Sequence, residues 1–336
     1  MKTNRFLLWF GIFLVGLVFC GGVAWWLGRA LPARTPLSIP RRDIVYQTYV
    51  TGSLKDRDGR IGFVDQDGSH KEVITVASKG AGVYSPMVEG GNLFLLVSDW
   101  PAIIHGGWLW IYRQGIALSC ELRLAWRPSR VGETEQYVGR HLWADDGGVV
   151  LFRLDQEGCH SAVDLFSPAQ MKSLGIAEAT GFHTEDKILL VGERSYVYDL
   201  HTQQMEPVAL PPVTQCRLSP DDRQVACVRD NAGAAWIYVF SVADLRLRLE
   251  RHWSSNELPA AGIRDLSWSP DGKEIVYHHC VNDQGCGAVG DPDNLYTMGI
   301  YRWNLETNEE KLVTTGGILP FWIDWGSAPS GALPAP

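Results

Sequence analysis

The residue types that most often carry chemistry occur only in short, isolated groups in this sequence. The run His278-His279-Cys280 contains three potential metal ligands. Neighbouring residues of a β-strand point to opposite faces, so the two histidines would not easily reach one ion. Segments 56–59 and 65–69 begin like calcium loops but lack the downstream bidentate glutamate. We therefore predict turns at these segments and no metal site.

Motifs of nucleophilic and phosphate chemistry are also missing. Ser327 and Ser330 lie in a Gly-Ser-Ala-Pro-Ser-Gly segment, which lacks the spacing and the strand–turn–helix context of a nucleophile elbow. The sequence contains no phosphate loop, no dinucleotide fingerprint and no paired-cysteine zinc motif. We expect no cofactor.

The seven cysteines offer disulfide chemistry instead. Cys280 and Cys286, with five residues between them in one loop, predict a small loop closed by a disulfide. Cys216 and Cys227 lie on the two arms of a predicted hairpin, where they either pair or stay as buried thiols. Oxidised pairs would require an exported compartment.

The elements that hold these residues are indicated by a repeated turn. Ser269-Pro270-Asp271-Gly272 separates two apolar segments, and Ser219-Pro220-Asp221-Asp222 does the same 50 residues upstream. Proline presets φ for a tight turn, aspartate binds the turn backbone, and glycine tolerates positive φ. We therefore predict structural turns of antiparallel hairpins at both places.

Weaker copies of the pattern occur at similar intervals. Anchors at Ser85, Ala144, Thr184, Ser219 and Ser269 are 59, 40, 35 and 50 residues apart. Four-stranded propeller blades repeat about every 40–50 residues. The N-terminal copy lacks an inner strand, which we expect segment 319–326 to supply. The prediction is an all-β propeller of four-stranded antiparallel blades, six in number, with seven as the alternative count.

The repeat resembles the TolB-type, WD-like β-propeller family. Three features carry the resemblance: the Trp-Ser-Pro-Asp-Gly run at 268–272, the outer Ile300-Tyr301 strand, and the Asp-Gln-Asp-Gly-Ser turn at 65–69. It covers roughly residues 43–327 and implies a six-bladed, mainly antiparallel propeller. It also implies use as a protein-contact platform or as a gating domain beside a hydrolase. We expect no gating role, since no hydrolase domain follows the propeller in this sequence.

An apolar run at residues 6–27 precedes the propeller. Its 22 residues, each adding about 1.5 Å, are enough to cross a hydrocarbon core of roughly 30 Å. We favour an uncleaved, single-pass transmembrane helix after a short tail at 1–5, over a cleaved signal peptide or a lipoprotein site at Cys20. Residues 28–42 form a Pro/Arg stalk, and residues 328–336 a disordered tail. Positive charges flank both ends of the helix, so we place the propeller outside the cytoplasm mainly by the type of segment and the family resemblance.

Charge narrows the possible partners. Residues 1–42 carry six basic and no acidic side chains, so the remaining chain has 24 basic and 38 acidic residues and a net charge of −14. A domain this acidic is poorly suited to a phosphate backbone. We expect no nucleic-acid partner.

Loop lengths indicate where a partner would bind. The turns within the inner and the outer hairpins are short, whereas segments 98–107, 127–139, 251–261 and 279–295 are long and should gather at the opposite edge. Loops on a rigid scaffold often carry function. Their apolar residues either contact a partner or pack over one another as a lid; the candidate contacts are Trp100, Ile103, Ile104, His105, Trp108 and Trp253.

The function predicted from these features is a membrane-tethered, extracytoplasmic propeller that acts as a protein-interaction scaffold. The alternative is a sensor that binds a small ligand or glycan at the channel mouth. A propeller lyase or glycosidase would need convergent carboxylates and a base. The inner strands offer only His141, Arg264 and Asp265, so we expect a protein that is not an enzyme.

Overall fold

The described part of the chain is almost entirely β-structure. The computed structural model describes residues 40–48, 59–77, 81–89, 92–99, 107–113, 116–122, 133–137, 140–145, 148–154, 159–182, 185–231, 234–253, 263–280 and 298–323. They form 24 strands, and a helix α1 (Pro168–Leu174) lies between the eleventh and twelfth.

Strands of the first half, in chain order, are β1 (Ile44–Thr48), β2 (Gly59–Val64), β3 (Glu72–Ala77), β4 (Ala81–Glu89), β5 (Asn92–Asp99), β6 (Gly107–Arg113), β7 (Ile116–Leu122), β8 (Glu133–Tyr137), β9 (Arg140–Asp145), β10 (Gly148–Leu154), β11 (Cys159–Phe166) and β12 (Ile176–Gly181). Those of the second half are β13 (Lys187–Gly192), β14 (Ser195–Asp199), β15 (Met205–Val208), β16 (Gln215–Leu218), β17 (Gln224–Asn231), β18 (Ala234–Ser241), β19 (Leu247–Trp253), β20 (Arg264–Trp268), β21 (Glu274–Cys280), β22 (Met298–Asn304), β23 (Glu310–Thr315) and β24 (Gly317–Trp322).

These strands pair into six four-stranded antiparallel sheets within the described residues. The first sheet has the order β24-β1-β2-β3, and the second to sixth sheets contain β4–β7, β8–β11, β12–β15, β16–β19 and β20–β23 in chain order. The leading strands β4, β8, β12, β16, β20 and β24 contact one another in succession, and β24 also contacts β4. The sheets are therefore arranged around their leading strands, as in a propeller.

Both faces of a sheet are apolar because each sheet packs against two neighbours. Leu190, Cys216 and Phe240 belong to the cluster between the fourth and fifth sheets. The cluster between the fifth and sixth sheets includes Val228, Trp268 and Trp303, and the one between the sixth and first includes Tyr46, Val276 and Trp322. Burial of these side chains supplies the main driving force for assembling the sheets.

Hydrogen bonds near the leading strands connect three sheets. The Trp268 Nε1–H donates to the Arg217 carbonyl at 2.9 Å, which links β20 to β16. The Trp322 backbone N–H donates to Ser267 Oγ at 3.2 Å, which links β24 to β20. Both bonds are buried, where an unpaired polar group would be costly.

The two ends of the chain share the first sheet, as the sequence predicts. Ile44 pairs with Trp322 and Thr48 with Gly317, so the strand that completes this sheet begins at residue 317 rather than 319. The Tyr46 ring lies directly over Gly62 and Gly317, where a Cβ atom would overlap it. Glycine on both flanking strands is what allows the ring to be fully buried there.

The repeated turns have the predicted structure in both copies. Ser219 Oγ donates to Asp221 Oδ1 at 2.7 Å and accepts from the Gln224 N–H at 2.9 Å. The second copy has the same two distances for Ser269, Asp271 and Glu274. These bonds satisfy the turn polar groups internally.

Positive φ falls at equivalent positions of the two copies. Gly272 has a φ of 69° and Asp222 has a φ of 55°. Aspartate is among the few non-glycine residues that adopt this region without a large penalty. Segment 65–69 is likewise a turn, since the Ser69 N–H donates to Asp67 Oδ1 at 2.8 Å and the Gly68 N–H to the Asp65 carbonyl at 2.9 Å.

The structure corrects the third sheet. The segment 127–139, predicted to be a link between blades, contains the strand β8. Strand β9, which holds His141, is therefore second in its sheet rather than innermost. The sequence Glu-Thr-Glu-Gln-Tyr of β8 has no aliphatic residue, so no apolar pattern marked it as a strand.

Connections at the predicted long-loop edge are also less uniform than expected. Segments 49–58, 123–132 and 281–297 connect strands there, but so do the short segments 146–147, 193–194 and 232–233. We call this side of the molecule the loop edge and the opposite side, with residues 219–223 and 269–273, the turn edge. Long connections therefore concentrate on the loop edge without occupying all of it.

No helix within the described ranges is long and apolar enough to cross a membrane. The predicted transmembrane segment 6–27 and the tail 328–336 lie outside those ranges, as does the stalk apart from residues 40–42.

We predict that truncation after residue 316 abolishes cooperative folding. The change removes β24, which leaves β1 with an unpaired edge and opens the apolar cluster around Trp322. Chemical denaturation followed by circular dichroism is the measurement. Truncation after residue 327 is the control and should preserve the transition; a cooperative transition of similar midpoint in both truncated proteins would contradict the role of β24.

Candidate functional site

Titratable and aromatic side chains gather between the outermost strand of the fifth sheet and the second to fourth strands of the sixth sheet. Strand β19 contributes Arg251 and Trp253, β21 contributes Tyr277 and His279, and β22 and β23 contribute Tyr301 and Glu310. We call these six residues the Glu310 cluster. In β19 and in β21 the two contributing residues are spaced by two, so that each pair shares one face of its sheet.

The carboxylate of Glu310 is the centre of this cluster. Arg251 Nη2 lies 2.6 Å from Glu310 Oε2 and joins the two sheets by a charge-assisted hydrogen bond. The Tyr277 hydroxyl donates to Glu310 Oε1. His279 Nε2 is 3.7 Å from the same oxygen, which is close enough for electrostatic attraction but too long for a hydrogen bond.

Aromatic rings surround the charged groups. The His279 ring stacks on Tyr301 at 3.8 Å between centroids, with an interplanar angle of 13°. Trp253 meets Tyr277 edge-on at 5.7 Å. The Arg251 guanidinium lies over the rings of Trp253 and Trp303, at 5.5 and 5.7 Å from their centroids, in cation–π geometry.

The surroundings shift the pKa values in a consistent direction. Burial opposes ionisation of Glu310, but His279, Tyr277 and the positive charge of Arg251 outweigh it, so the pKa of Glu310 is lowered. Burial and the neighbouring Glu310 charge raise the pKa of Tyr277 well above its ordinary value. The same two causes raise the pKa of Tyr301.

These features indicate that Glu310 stabilises the contact between the two sheets and is not a reactive group. Its oxygens already accept from Tyr277 and Arg251, and its lowered pKa keeps it ionised and unable to act as a general acid near neutral pH. Within the described ranges, no three histidine, cysteine or acidic side chains are grouped so as to hold a metal ion.

A second buried ion pair joins two leading strands. Arg217 Nη2 of β16 lies 2.7 Å from Glu178 Oε1 of β12, and Arg217 Nη1 donates to the Cys216 carbonyl at 2.6 Å. Sequence reasoning missed this pair because β12 was not recognised as a strand. The capping box of Ser167 and Gln170, followed by Gly175, is the signal that would have placed the helix and the strand after it.

The predicted contact residues are only partly visible. Trp253 ends strand β19 and is 8% exposed against Tyr277 and His279, so it packs within the protein instead of standing in a loop. Trp108 lies in β6, while Trp100, Ile103, Ile104 and His105 are outside the described residues. Trp253 has the strand residues Tyr277 and His279 as neighbours, so it supports neither the contact nor the lid interpretation of the apolar loop residues.

Of the two predicted cysteine pairs, one lies within the described residues and the other lies partly outside them. Cys216 and Cys227 are cross-strand neighbours and form a disulfide, with 4.0 Å between their Cα atoms. Of the two interpretations that the sequence left open for this pair, the structure has the oxidised one. Cys280 is the last residue of β21 and Cys286 lies outside the described residues, so their pairing stays a prediction.

Comparison with known proteins supports the fold alone. No protein-family model matches the chain, and no curated protein matches its sequence. The crystal structure of TolB from Acinetobacter baumannii is similar with a TM-score of 0.58 and 11% identity, over 84% of this chain and 67% of that one. A protein from Lactobacillus plantarum has a TM-score of 0.48 at 12% identity, over 84% and 99% of the two chains. The chain thus has a TolB-like β-propeller fold.

We predict that Glu310→Gln lowers the free energy of unfolding by about 1–3 kcal/mol at pH 7, because Arg251 and Tyr277 lose a charged acceptor. Since the folded-state pKa is lowered, this stabilisation is present above the unfolded-state pKa of roughly 4.3 and disappears as the pH falls through the folded-state value. Urea unfolding at neutral and acidic pH measures it. Glu309→Gln, an exposed neighbour, is the control; a deficit that persists unchanged in acid would contradict the argument.

Proposed function

We propose that this chain is a membrane-tethered, extracytoplasmic β-propeller with six blades that acts as a protein-interaction scaffold through its loop edge. The observation that carries the proposal is the contrast between the two edges. At the turn edge, polar groups form hydrogen bonds within their own turn, as Ser219 and Ser269 do. The longest connections between strands are at the loop edge. Binding function on a rigid scaffold concentrates in such variable connections.

Six blades of the TolB-type repeat agree with the sheet pattern. Each of the six described sheets has four antiparallel strands, and their leading strands contact one another in an unbroken succession. The chain ends meet in the first sheet, which is how circular propellers protect their edges.

An exported location is supported by the Cys216–Cys227 disulfide. Both cysteines are completely buried between the fourth and fifth sheets, so the bond is part of the core. Structural disulfides persist in oxidising compartments and are rare in the cytosol. A single helix at residues 6–27 would leave the propeller outside and attached.

Arg42 is one of the positive charges after the predicted transmembrane segment, and these charges made the orientation of the segment ambiguous. Its Nε donates to the His70 carbonyl at 3.0 Å, and its guanidinium pairs with Asp65 and Glu72 of the first sheet. This arginine therefore belongs to the propeller surface rather than to the flank of the membrane segment, where cytoplasmic positive charge would bias topology.

The contact face is tested by crosslinking on intact cells. We expect the double substitution Trp100→Ala and Ile104→Ala at the loop edge to abolish the crosslinked partner species, since large apolar side chains dominate interface energetics. The control is Lys273→Ala at the turn edge, an exposed side chain paired with Glu306. If the crosslinked species is lost in Lys273→Ala but retained in the loop-edge variant, the contact is at the turn edge and the proposal is wrong.

The compartment has a separate test. We expect the peptides that contain Cys216 and Cys227, from protein denatured in the presence of an alkylating reagent, to remain unalkylated until a reductant is added. Peptide mass spectrometry of the membrane fraction measures this, and protein made in a reducing cytoplasm without the segment 1–42 is the comparison. Full alkylation without reductant in the membrane-bound protein would argue against an exported propeller.

A further inference from the structure

Three planar side chains form a stacked ladder across the fifth sheet, separate from the Glu310 cluster. Trp236 of β18 is in register with Arg229 of β17 on one side and with His252 of β19 on the other. The Arg229 guanidinium carbon is 5.3 Å from the Trp236 ring centroid. The His252 ring stacks at 5.0 Å between centroids, with an interplanar angle of 28°.

The ladder is not part of the core between sheets. Tyr238 and Phe240 share the face of Trp236, since strand residues alternate, and both pack into the cluster between the fourth and fifth sheets. Trp236 belongs to none of the apolar clusters within the described residues and is half-buried, and His252 is exposed.

Backbone hydrogen bonds show where the neighbouring fourth sheet ends. The Val213 N–H donates to the carbonyl of Gly192, the last residue of β13, and the next N–H, of Thr214, donates to the Val228 carbonyl at 2.8 Å. The end of the fourth sheet is therefore level with Val228, one residue before Arg229. The longer strands β17 and β18 extend past it toward the loop edge and carry the ladder with them.

The ladder places the positive charge of Arg229 in an acidic domain. Among the side chains that the structure describes, no ion pair joins a carboxylate to Arg229 or His252, whereas Arg42, Arg217, Arg251 and Arg302 each have a carboxylate partner. The Arg229 guanidinium carbon lies within cation–π distance of the Trp236 ring, and a guanidinium can bind a carboxylate through two N–H groups.

We propose that the Arg229–Trp236–His252 ladder binds a carboxylated sugar. The carboxylate would pair with Arg229, and the exposed ring of His252, at the outer end of the ladder, would support the sugar ring. A protein partner is less suitable here because interfaces need a buried apolar centre. The large apolar side chains found exposed in the described ranges, Val73, Leu247 and Leu312, are not members of the ladder. This site lies on the second to fourth strands and is distinct from a channel mouth.

Calorimetric titration of the full-length protein in detergent tests the proposal, with trigalacturonate as the probe and maltotriose and hexaglutamate as comparison ligands. We expect trigalacturonate to bind, and Arg229→Gln and Trp236→Leu each to weaken it by about tenfold or more. Trp236→Phe keeps a flat ring and should retain most of the affinity. Arg248→Gln, an exposed arginine of the same outer strand as His252, is the matched control and should bind as the wild type does.

Three results would overturn the site: no binding of trigalacturonate by folded wild-type protein, equal affinity in Arg229→Gln, or equally tight binding of maltotriose or hexaglutamate. Thermal unfolding of each variant separates loss of binding from loss of structure. Should Trp236→Leu unfold, the surface substitution Arg229→Gln still decides the outcome. Failure of this test leaves the crosslinking test of the loop edge unaffected, because the two use different residues and probes.

Discussion

The pairing of β24 with β1 is the interaction on which the remaining structure depends. Without it, the first sheet would lack its leading strand, and the sixth and second sheets would each lose a neighbour at that strand. The pairing is highly specific: Tyr46 fits between Gly62 and Gly317, and the Trp322 N–H reaches Ser267 of the next leading strand. Because the two strands lie at opposite ends of the sequence, this contact carries a large loop-closure entropy, which cooperative packing of all the sheets must offset.

Closure divides the molecule into two edges with different physical constraints. At the turn edge, each tight turn must reverse the chain within a few residues and satisfy its own polar groups, so serine, aspartate and a residue with positive φ occur in the same places in both copies. At the loop edge, connections range from the single residue 316 to the segment 281–297 without disturbing the strand pairing on either side. Variation there is tolerated because it adds little to the closure entropy.

Polar groups within the packed region are used in pairs. Glu310 is held by Tyr277 of its own sheet and by Arg251 of the neighbouring sheet, and the Arg217–Glu178 pair likewise joins two neighbouring sheets. Such pairs add geometric specificity to interfaces that are otherwise apolar, since breaking one partner leaves a buried charge uncompensated. The ladder at Trp236 differs because its one arginine lies over a ring, without a described carboxylate partner, at the end of the sheet.

The sequence by itself determined the elements whose signals are local: the Ser219 and Ser269 turns, the hairpins around them, and the apolar strand at the C-terminal end that the N-terminal sheet lacked. Strand β8 could not be found this way, because its polar sequence becomes a strand only through pairing with β9. Only the tertiary structure decided that Trp253 is buried against Tyr277, that Cys216 and Cys227 are bonded, and that Glu310 meets Arg251 across two sheets. These contacts join residues distant in sequence or depend on strand register, and no local pattern encodes either.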